Sequence, residues 1–271
     1  MIFDHRFRRL CLSGLILAAA CDAGASTGAD LPSTAGVVSG LVTDTRGRPI
    51  ADAAVVINNA LWFNRNIVLQ SRADGTYRYE LPATDAWYVR GTTTVTSNGR
   101  TYTIDLKPDY PASFAGTEGH VVNLQWVMTG EVPKDFGHDG FYGGTVQMDA
   151  GWDLFDLDGV LLTLTPVGPL LDGSAGQAIN RTVVGTRGTD LLLDVPMGRY
   201  RLHATRNGVA LKIRLRGAAG YLETVTADFE PAYDGATVYG LYFAVGDGRS
   251  TGWRVIAGPG ADSLADARPS P

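Results

Sequence analysis

The sequence predicts an all-β protein of the sandwich class, and three observations support this prediction. Short stretches rich in β-branched and aromatic residues recur along the chain, with turn sequences roughly every 8–12 residues between them. Glycine (34 residues) and proline (13) are abundant in the 271 residues, which favours short strands over long helices. A hydrophobic content of 45% is enough for a buried core.

The clearest strand patterns lie between residues 37 and 127. Tyr77, Tyr79 and Leu81 alternate with polar residues, which is the period-two pattern of a half-buried strand. Asn98-Gly99 is a strong signal for a tight hairpin turn. Trp87 and Trp126 fall in strand patterns and are predicted to lie in the core. The further predicted strands are 37–44, 53–57, 67–70, 87–90, 92–96, 100–106 and 121–127.

A recognisable sequence pattern spans residues 39–57 and 73–82. Gly47 and Pro49 form a turn between two apolar strands, and Asp74-Gly75 precedes a strand that begins at Thr76. This pattern resembles the carboxypeptidase regulatory-like domain, and the resemblance covers residues 36–130. It implies an immunoglobulin-like or transthyretin-like β-sandwich that serves as an accessory or interaction module without catalytic activity.

A second all-β region is predicted at residues 142–250, after a connector at 131–141 and before a disordered tail at 251–271. Its predicted strands include 159–165, 191–195, 199–204 and 221–229. The segment from Pro196 through Gly198 to Tyr200 resembles a hairpin of the same sandwich class. We therefore predict two domains, with a single larger sandwich carrying insertions as the alternative.

The N-terminus has the organisation of an export signal. Basic residues from Arg6 to Arg9 precede the apolar run Leu10–Ala20, which is shorter than the roughly 20 residues needed to span a bilayer. The sequence Leu17-Ala-Ala-Ala-Cys21 resembles the lipobox of bacterial lipoproteins, although its leucine lies one position further from the cysteine than usual. Residues 1–20 are thus predicted to be a lipoprotein signal peptide, Cys21 to be acylated, and residues 21–35 to be a flexible tether. An ordinary cleaved leader or a free Cys21 thiol are the alternatives.

The segment Trp62, Phe63, Asn64 and Arg65 is the candidate ligand-binding site. It lies between two β-branched stretches and contains several polar residues. Exposed aromatic rings flanked by amide and guanidinium groups can stack on sugars and bond their hydroxyls. The alternative is that Trp62 or Phe63 packs into the core, which is the more frequent location of large aromatic residues.

Four carboxylates fall within ten residues, at Asp149, Asp153, Asp156 and Asp158. Oxygen ligands at short spacing can hold Ca²⁺, so these residues are the candidate metal site. The spacing is not that of an EF-hand, and Asp-Gly pairs are also common in turns. A solvated acidic loop is therefore the alternative.

The charge and the residue pattern restrict the possible functions. A net charge of −5 without basic clusters excludes nucleic acid as a partner, because binding to phosphates needs clustered Lys and Arg. The sequence contains neither paired carboxylates suited to acid–base catalysis nor the ligand spacing of a zinc peptidase, so we predict no enzyme activity and no cofactor. The predicted function is that of an exported, non-catalytic, lipid-anchored envelope protein that acts as a binding or structural module, with glycans or envelope proteins as the candidate partners. An accessory subunit of an envelope peptidase or glycosidase is the alternative.

Overall fold

The computed structural model describes residues 33–133, 140–151 and 153–247, and every regular element in these ranges is a β-strand. The all-β sandwich prediction is confirmed. Cys21, the predicted signal peptide, the predicted tail and most of the predicted tether and connector lie outside the described residues. Among the described residues, no helix has the length and apolar content to cross a bilayer.

Residues 37–125 form two facing sheets, which we call the N-terminal sandwich. Its strands are β1 Val37–Thr43, β2 Ala54–Asn59, β3 Asn66–Gln70, β4 Thr76–Glu80, β5 Ala86–Ser97, β6 Arg100–Asp105, β7 Lys107–Pro108, β8 Phe114–Ala115, β9 His120–Val121 and β10 Leu124–Gln125. One sheet has the order β4-β1-β10-β7, with β9 also paired to β1, and the other has the order β3-β2-β5-β6, with β8 paired to β5.

The alternating patterns of the sequence fill the space between these two sheets. Trp87, Tyr77 and Tyr102 are among the largest fully buried side chains, and Trp126 is also buried. Tyr79 differs from the prediction of a half-buried alternation, because β4 is an edge strand and leaves this ring 39% exposed. The predicted strands 87–90 and 92–96 are one continuous strand, β5, which ends at the predicted Asn98-Gly99 turn. Both turn residues have positive φ, at 52° and 76°.

Residues 144–246 form a second β-structure, which we call the C-terminal sheet. Its strands are β11 Gly144–Ala150, β12 Val160–Leu170, β13 Ile179–Thr182, β14 Thr189–Val195, β15 Gly198–Arg206, β16 Val209–Leu215, β17 Thr224–Asp228, β18 Glu230–Pro231 and β19 Tyr239–Gly246. The order is β13-β12-β15-β16-β19-β11-β14, with β17 paired to β15 and β18 to β19.

The C-terminal sheet curls back on itself. β13 and β14 lie at opposite ends of the strand order, yet only residues 183–188 separate them in the chain. The Arg181 guanidinium bridges the two ends, donating hydrogen bonds of 3.2 and 3.1 Å to the buried carboxylate of Asp190. The curled sheet encloses apolar side chains such as Leu164, Leu202 and Phe243.

The two β-structures share one pairing feature. The first strand of each pairs in parallel with its last strands: β1 with β9 and β10, and β11 with β19. In the N-terminal sandwich this pairing brings the backbone at Val122 against Gly40, where an added Cβ would clash with the Val122 carbonyl. Gly40 is therefore required by close backbone approach.

Contacts between the two β-structures lie in the half of the N-terminal sandwich that contains the turn between β5 and β6. Asn98, in the β5–β6 turn, donates a hydrogen bond of 2.9 Å to Asp228. The Thr103 amide donates to the Tyr239 hydroxyl at 2.7 Å, and the Thr45 hydroxyl donates to Asp172 at 3.0 Å. Buried apolar residues of both β-structures form one continuous cluster.

Asp194 connects the two ends of the segment that joins the β-structures. Its carboxylate accepts hydrogen bonds from the amides of Gly130 (2.9 Å) and Gly143 (3.1 Å). Asp194 itself has a positive φ of 59°. The division into two domains stays a prediction from the sequence. In the structure, the contacts described above join the N-terminal sandwich to the C-terminal sheet.

Candidate functional site

The candidate ligand-binding residues lie in the loop between β2 and β3, residues 60–65, which we call the tip loop. Three consecutive large apolar side chains point into solvent here: Leu61 is 64% exposed, Trp62 is 59% exposed and Phe63 is fully exposed. Apolar groups exposed singly on a surface are ordinary, whereas a contiguous patch is typical of interaction sites. The alternative that Trp62 or Phe63 belongs to the core is therefore wrong.

Two polar residues outside the predicted site hold the tip loop in place. The side-chain oxygen of Asn59 accepts hydrogen bonds from the amides of Leu61 and Trp62, both at 2.9 Å. Asn59 is itself buried and donates to Asp85 at 3.0 Å. These hydrogen bonds provide acceptors for the backbone amides at the start of the loop. The conformation of the loop therefore does not depend on burial of its apolar side chains.

Asp85, in the turn between β4 and β5, is the second anchor. Its carboxylate accepts a hydrogen bond from the Trp62 indole at 3.3 Å and forms an ion pair of 3.7 Å with Arg65. Asp85 has a positive φ of 74°, and Asn64 in the loop has one of 58°. Arg65 is thus partly engaged within the protein, while Asn64 supplies the turn that lets the chain return into β3.

The four predicted residues are consecutive in the tip loop, and the structure adds Asn59 and Asp85 as the residues that support it, which the sequence analysis missed. The sequence contains only weak signals for these two residues. Asn59 lies directly before the loop in the sequence, where an asparagine side chain readily caps following amides. Asp85 is 23 residues from Trp62, so only the pairing of β2 with β5 places it there.

The four aspartates proposed for calcium are distributed over separate contacts. Asp149 accepts a hydrogen bond of 2.6 Å from Thr189, and Asp153 packs against Gly246. Asp156 forms an ion pair of 3.1 Å with Arg206. Asp158 accepts a hydrogen bond of 2.7 Å from the Gly185 amide.

A calcium site is therefore not supported by this geometry. In the ranges that the structure describes, no three His, Cys, Asp or Glu side chains lie close enough together to hold a metal ion. The carboxylates instead accept hydrogen bonds and pair with arginine at separate places.

A small crevice lies where the N-terminal sandwich meets the segment that leads to the C-terminal sheet, lined in part by Arg90, Asp105 and Tyr142. Burial raises the pKa of Asp105, while a hydrogen bond from Thr237 and the charge of Arg90 act in the opposite direction. Burial also raises the pKa of Tyr142 to about 12. The hydrogen bond between Asp105 and Thr237 joins the two β-structures, and we assign no ligand to the crevice.

Comparison with known proteins identifies no family. No protein-family model matches the chain, and no curated protein matches its sequence. Among solved structures, the Bacillus anthracis TIE protein aligns over 78% of this chain at 12% identity, with a TM-score of 0.30. A streptococcal ancillary pilin aligns over 76% at 11% identity, with a TM-score of 0.24. The major pilin subunit BcpA of Bacillus cereus aligns over 79% at 9% identity, with a TM-score of 0.23.

The matched regions differ in their share of these proteins. This chain spans 34% of the Bacillus anthracis protein, 62% of the streptococcal pilin and 100% of the BcpA chain. The tip loop therefore has to be interpreted from its own chemistry. That chemistry is an apolar surface of three side chains, with Asn59 and Asp85 bonded within the protein and Asn64 and Arg65 exposed beside the apolar residues.

Proposed function

We propose that this protein is a non-catalytic, lipid-anchored module of the bacterial cell envelope and that the tip loop is its binding surface. The observation that carries the proposal is the run of exposed side chains Leu61, Trp62 and Phe63 on a loop fixed by Asn59 and Asp85. A loop held in one conformation before binding loses less entropy when it binds, so this arrangement favours recognition.

The anchor is the second part of the proposal. The basic residues and apolar run before Cys21 support export, and the lipobox-like sequence supports acylation of Cys21. Buried acyl chains contribute about 0.8 kcal/mol per CH₂, so two or more chains hold a protein on a membrane.

Acylation is tested with the full chain expressed in a bacterial host. Wild type should incorporate labelled palmitate and fractionate with membranes, whereas Cys21→Ser should not be labelled and should appear in the soluble fraction. A mature wild-type chain that is soluble, with a free Cys21 thiol, would refute the anchor.

The relationship of residues 36–130 to carboxypeptidase regulatory-like domains belongs to the same proposal. Two features of this region support it. Gly75 has a positive φ of 77°, and Asp74 accepts a hydrogen bond of 3.0 Å from the Thr76 amide, so the Asp-Gly pair forms the turn that starts β4. Tyr77 then enters the core, and its hydroxyl donates to the Val122 carbonyl.

Glycans and envelope proteins stay the predicted partners of this surface. A role as an accessory subunit of an envelope peptidase or glycosidase stays the alternative function. The tip loop is tested by comparing wild type with Trp62→Ser/Phe63→Ser for retention on glycans, isolated envelope proteins and lipid vesicles. Loss of retention on at least one probe supports the tip loop as the binding surface. Equal retention by both proteins on every probe would refute it.

A further inference from the structure

The tip loop and the N-terminal end of the described chain lie at the same end of the N-terminal sandwich. A short series of hydrogen bonds joins them. The Gly36 amide donates to the Thr117 carbonyl at 3.2 Å, and the Gly116 amide donates to the Asp85 carbonyl at 3.1 Å. Asp85 in turn accepts the indole hydrogen bond of Trp62. The described chain therefore begins beside the tip loop.

The contacts with the C-terminal sheet lie in the other half of the sandwich, from Asp105, which pairs with Thr92 at the middle of β5, to the β5–β6 turn. β5 starts at Ala86, next to Asp85, and ends at Ser97, next to the Asn98–Asp228 hydrogen bond. A strand of 12 residues spans about 35–40 Å at the usual rise per residue. The tip loop thus faces away from the C-terminal sheet and lies at the end of the sandwich where the described chain begins.

We propose that the tip loop inserts into the lipid surface to which Cys21 is anchored. This inference rests on the proposed function, since it names the partner of the tip loop. Residues 22–32 reach at most about 40 Å when fully extended, so the anchor keeps the N-terminal end of the sandwich close to the membrane. Loop insertion then becomes an intramolecular step at high effective concentration.

The chemistry of the loop matches a lipid interface better than a sugar. A glycan site needs polar groups that are available to hydroxyls, but Asn59 bonds the loop backbone and Asp85 bonds Trp62, Asn59 and Arg65. The outward surface therefore presents three contiguous apolar side chains, with the exposed side chains of Asn64 and Arg65 beside them. Tryptophan is enriched at membrane interfaces because its ring is apolar and its N–H is polar, and leucine and phenylalanine bury well below the headgroups.

The test separates the loop from the anchor by using the chain from Asp22, which keeps every described residue and lacks the acylation site. We measure its partition onto phosphatidylcholine vesicles with and without phosphatidylglycerol. Trp62→Ser/Phe63→Ser should lower the partition constant at least about tenfold. Burial of a single large apolar side chain is by itself enough to change a partition constant by about that factor. Wild-type partition should persist at high salt, since burial of apolar groups is not screened.

Phe155→Ser is the matched control. Phe155 is 85% exposed and lies before β12, the strand whose other end, Leu170, precedes the Asp172 contact with the N-terminal sandwich. It is thus an exposed phenylalanine at the far end of the molecule, and its substitution should leave partition unchanged. Equal losses for Phe155→Ser and for the tip-loop variant would overturn the proposal.

Trp62 also provides a direct measure of depth. Brominated lipids should quench wild-type fluorescence on binding, and Trp62→Phe should remove this quenching while retaining most of the partition. Unchanged quenching in Trp62→Phe would place the inserted tryptophan elsewhere and overturn the proposal.

The outcomes also separate this inference from the proposed function. If wild type fails to bind vesicles but loses retention on a glycan or an envelope protein in Trp62→Ser/Phe63→Ser, the lipid assignment is wrong and the tip loop remains a binding surface. If the tip-loop variant matches wild type on every probe, the proposed function is wrong as well.

Discussion

The indole N–H of Trp62 donates a hydrogen bond to Asp85 across 3.3 Å, joining the tip loop to the turn between β4 and β5. The bond holds an exposed aromatic side chain in a fixed position while most of its surface stays in solvent. Because the same carboxylate also pairs with Asn59 and Arg65, one acidic residue organises the polar side of the loop.

Trp62→Ala is expected to lower the free energy of unfolding by less than about 1 kcal/mol, because substitutions of exposed residues seldom cost more than this. Trp87→Ala is the matched comparison, since Trp87 is buried in the same sandwich and a large-to-small change in the core costs about 3–5 kcal/mol. Thermal unfolding of the two variants measures both effects. A Trp62→Ala cost as large as that of Trp87→Ala would place the Trp62 side chain in the core.

Tyr239→Phe is expected to lower the free energy of unfolding by about 1–2 kcal/mol, because it leaves the amide of Thr103 without the hydroxyl that accepts its hydrogen bond. The substitution keeps the ring, which packs against Tyr102 with centroids 5.2 Å apart. Tyr233→Phe, at an exposed position, is the control and should be neutral. Urea unfolding measures both variants, and no loss for Tyr239→Phe would mean that this contact contributes nothing to joining the two β-structures.

Asp105→Asn is expected to stabilise the protein at neutral pH. Burial raises the pKa of Asp105 above its ordinary value of 3.8, so the folded protein carries the cost of an ionised carboxylate at high pH. As the pH falls through the raised pKa towards 3.8, the carboxyl is protonated in the folded state and the cost disappears. The stability difference between Asp105→Asn and wild type should therefore be largest near pH 7 and shrink on acidification.

Chemical unfolding at a series of pH values measures this difference. Thr237→Val provides a companion variant, because the hydrogen bond from Thr237 lowers the pKa of Asp105 and its loss should raise that pKa further. A difference between Asp105→Asn and wild type that stays constant from pH 7 to pH 4 would contradict the expected titration.

Several local features of the fold were predictable because their causes are local. The Asn98-Gly99 turn needs two residues that tolerate positive φ, and the sequence supplies both. Trp87 and Tyr77 occupy inward positions of alternating strands, so their burial follows from the period of two. The continuity of β5 was missed because Gly91 interrupts its apolar pattern; the Cβ of any other residue there would clash with Leu124 and the Ala54 carbonyl.

The calcium prediction depended on sequence spacing alone. The four aspartates are close together in the sequence, but the direction of each side chain depends on the strand or turn that carries it. Asp149 points to Thr189 on β14, whereas Asp156 pairs with Arg206 at the end of β15. Coordination needs several oxygens converging on one point, and short sequence spacing does not guarantee that convergence.

The sequence by itself determined the all-β class, the hairpin at Asn98-Gly99 and the buried positions of Trp87 and Trp126, because turn chemistry and alternation act over a few residues. It also marked Trp62 and Phe63 as unusual, without deciding whether they face the core or the solvent. Only the tertiary structure decided that, since the pairing of β2 with β5 brings Asp85 to Trp62 and fixes the loop outwards. The placement of the tip loop beside the N-terminal end of the chain likewise depends on contacts between residues far apart in sequence, which no local pattern encodes.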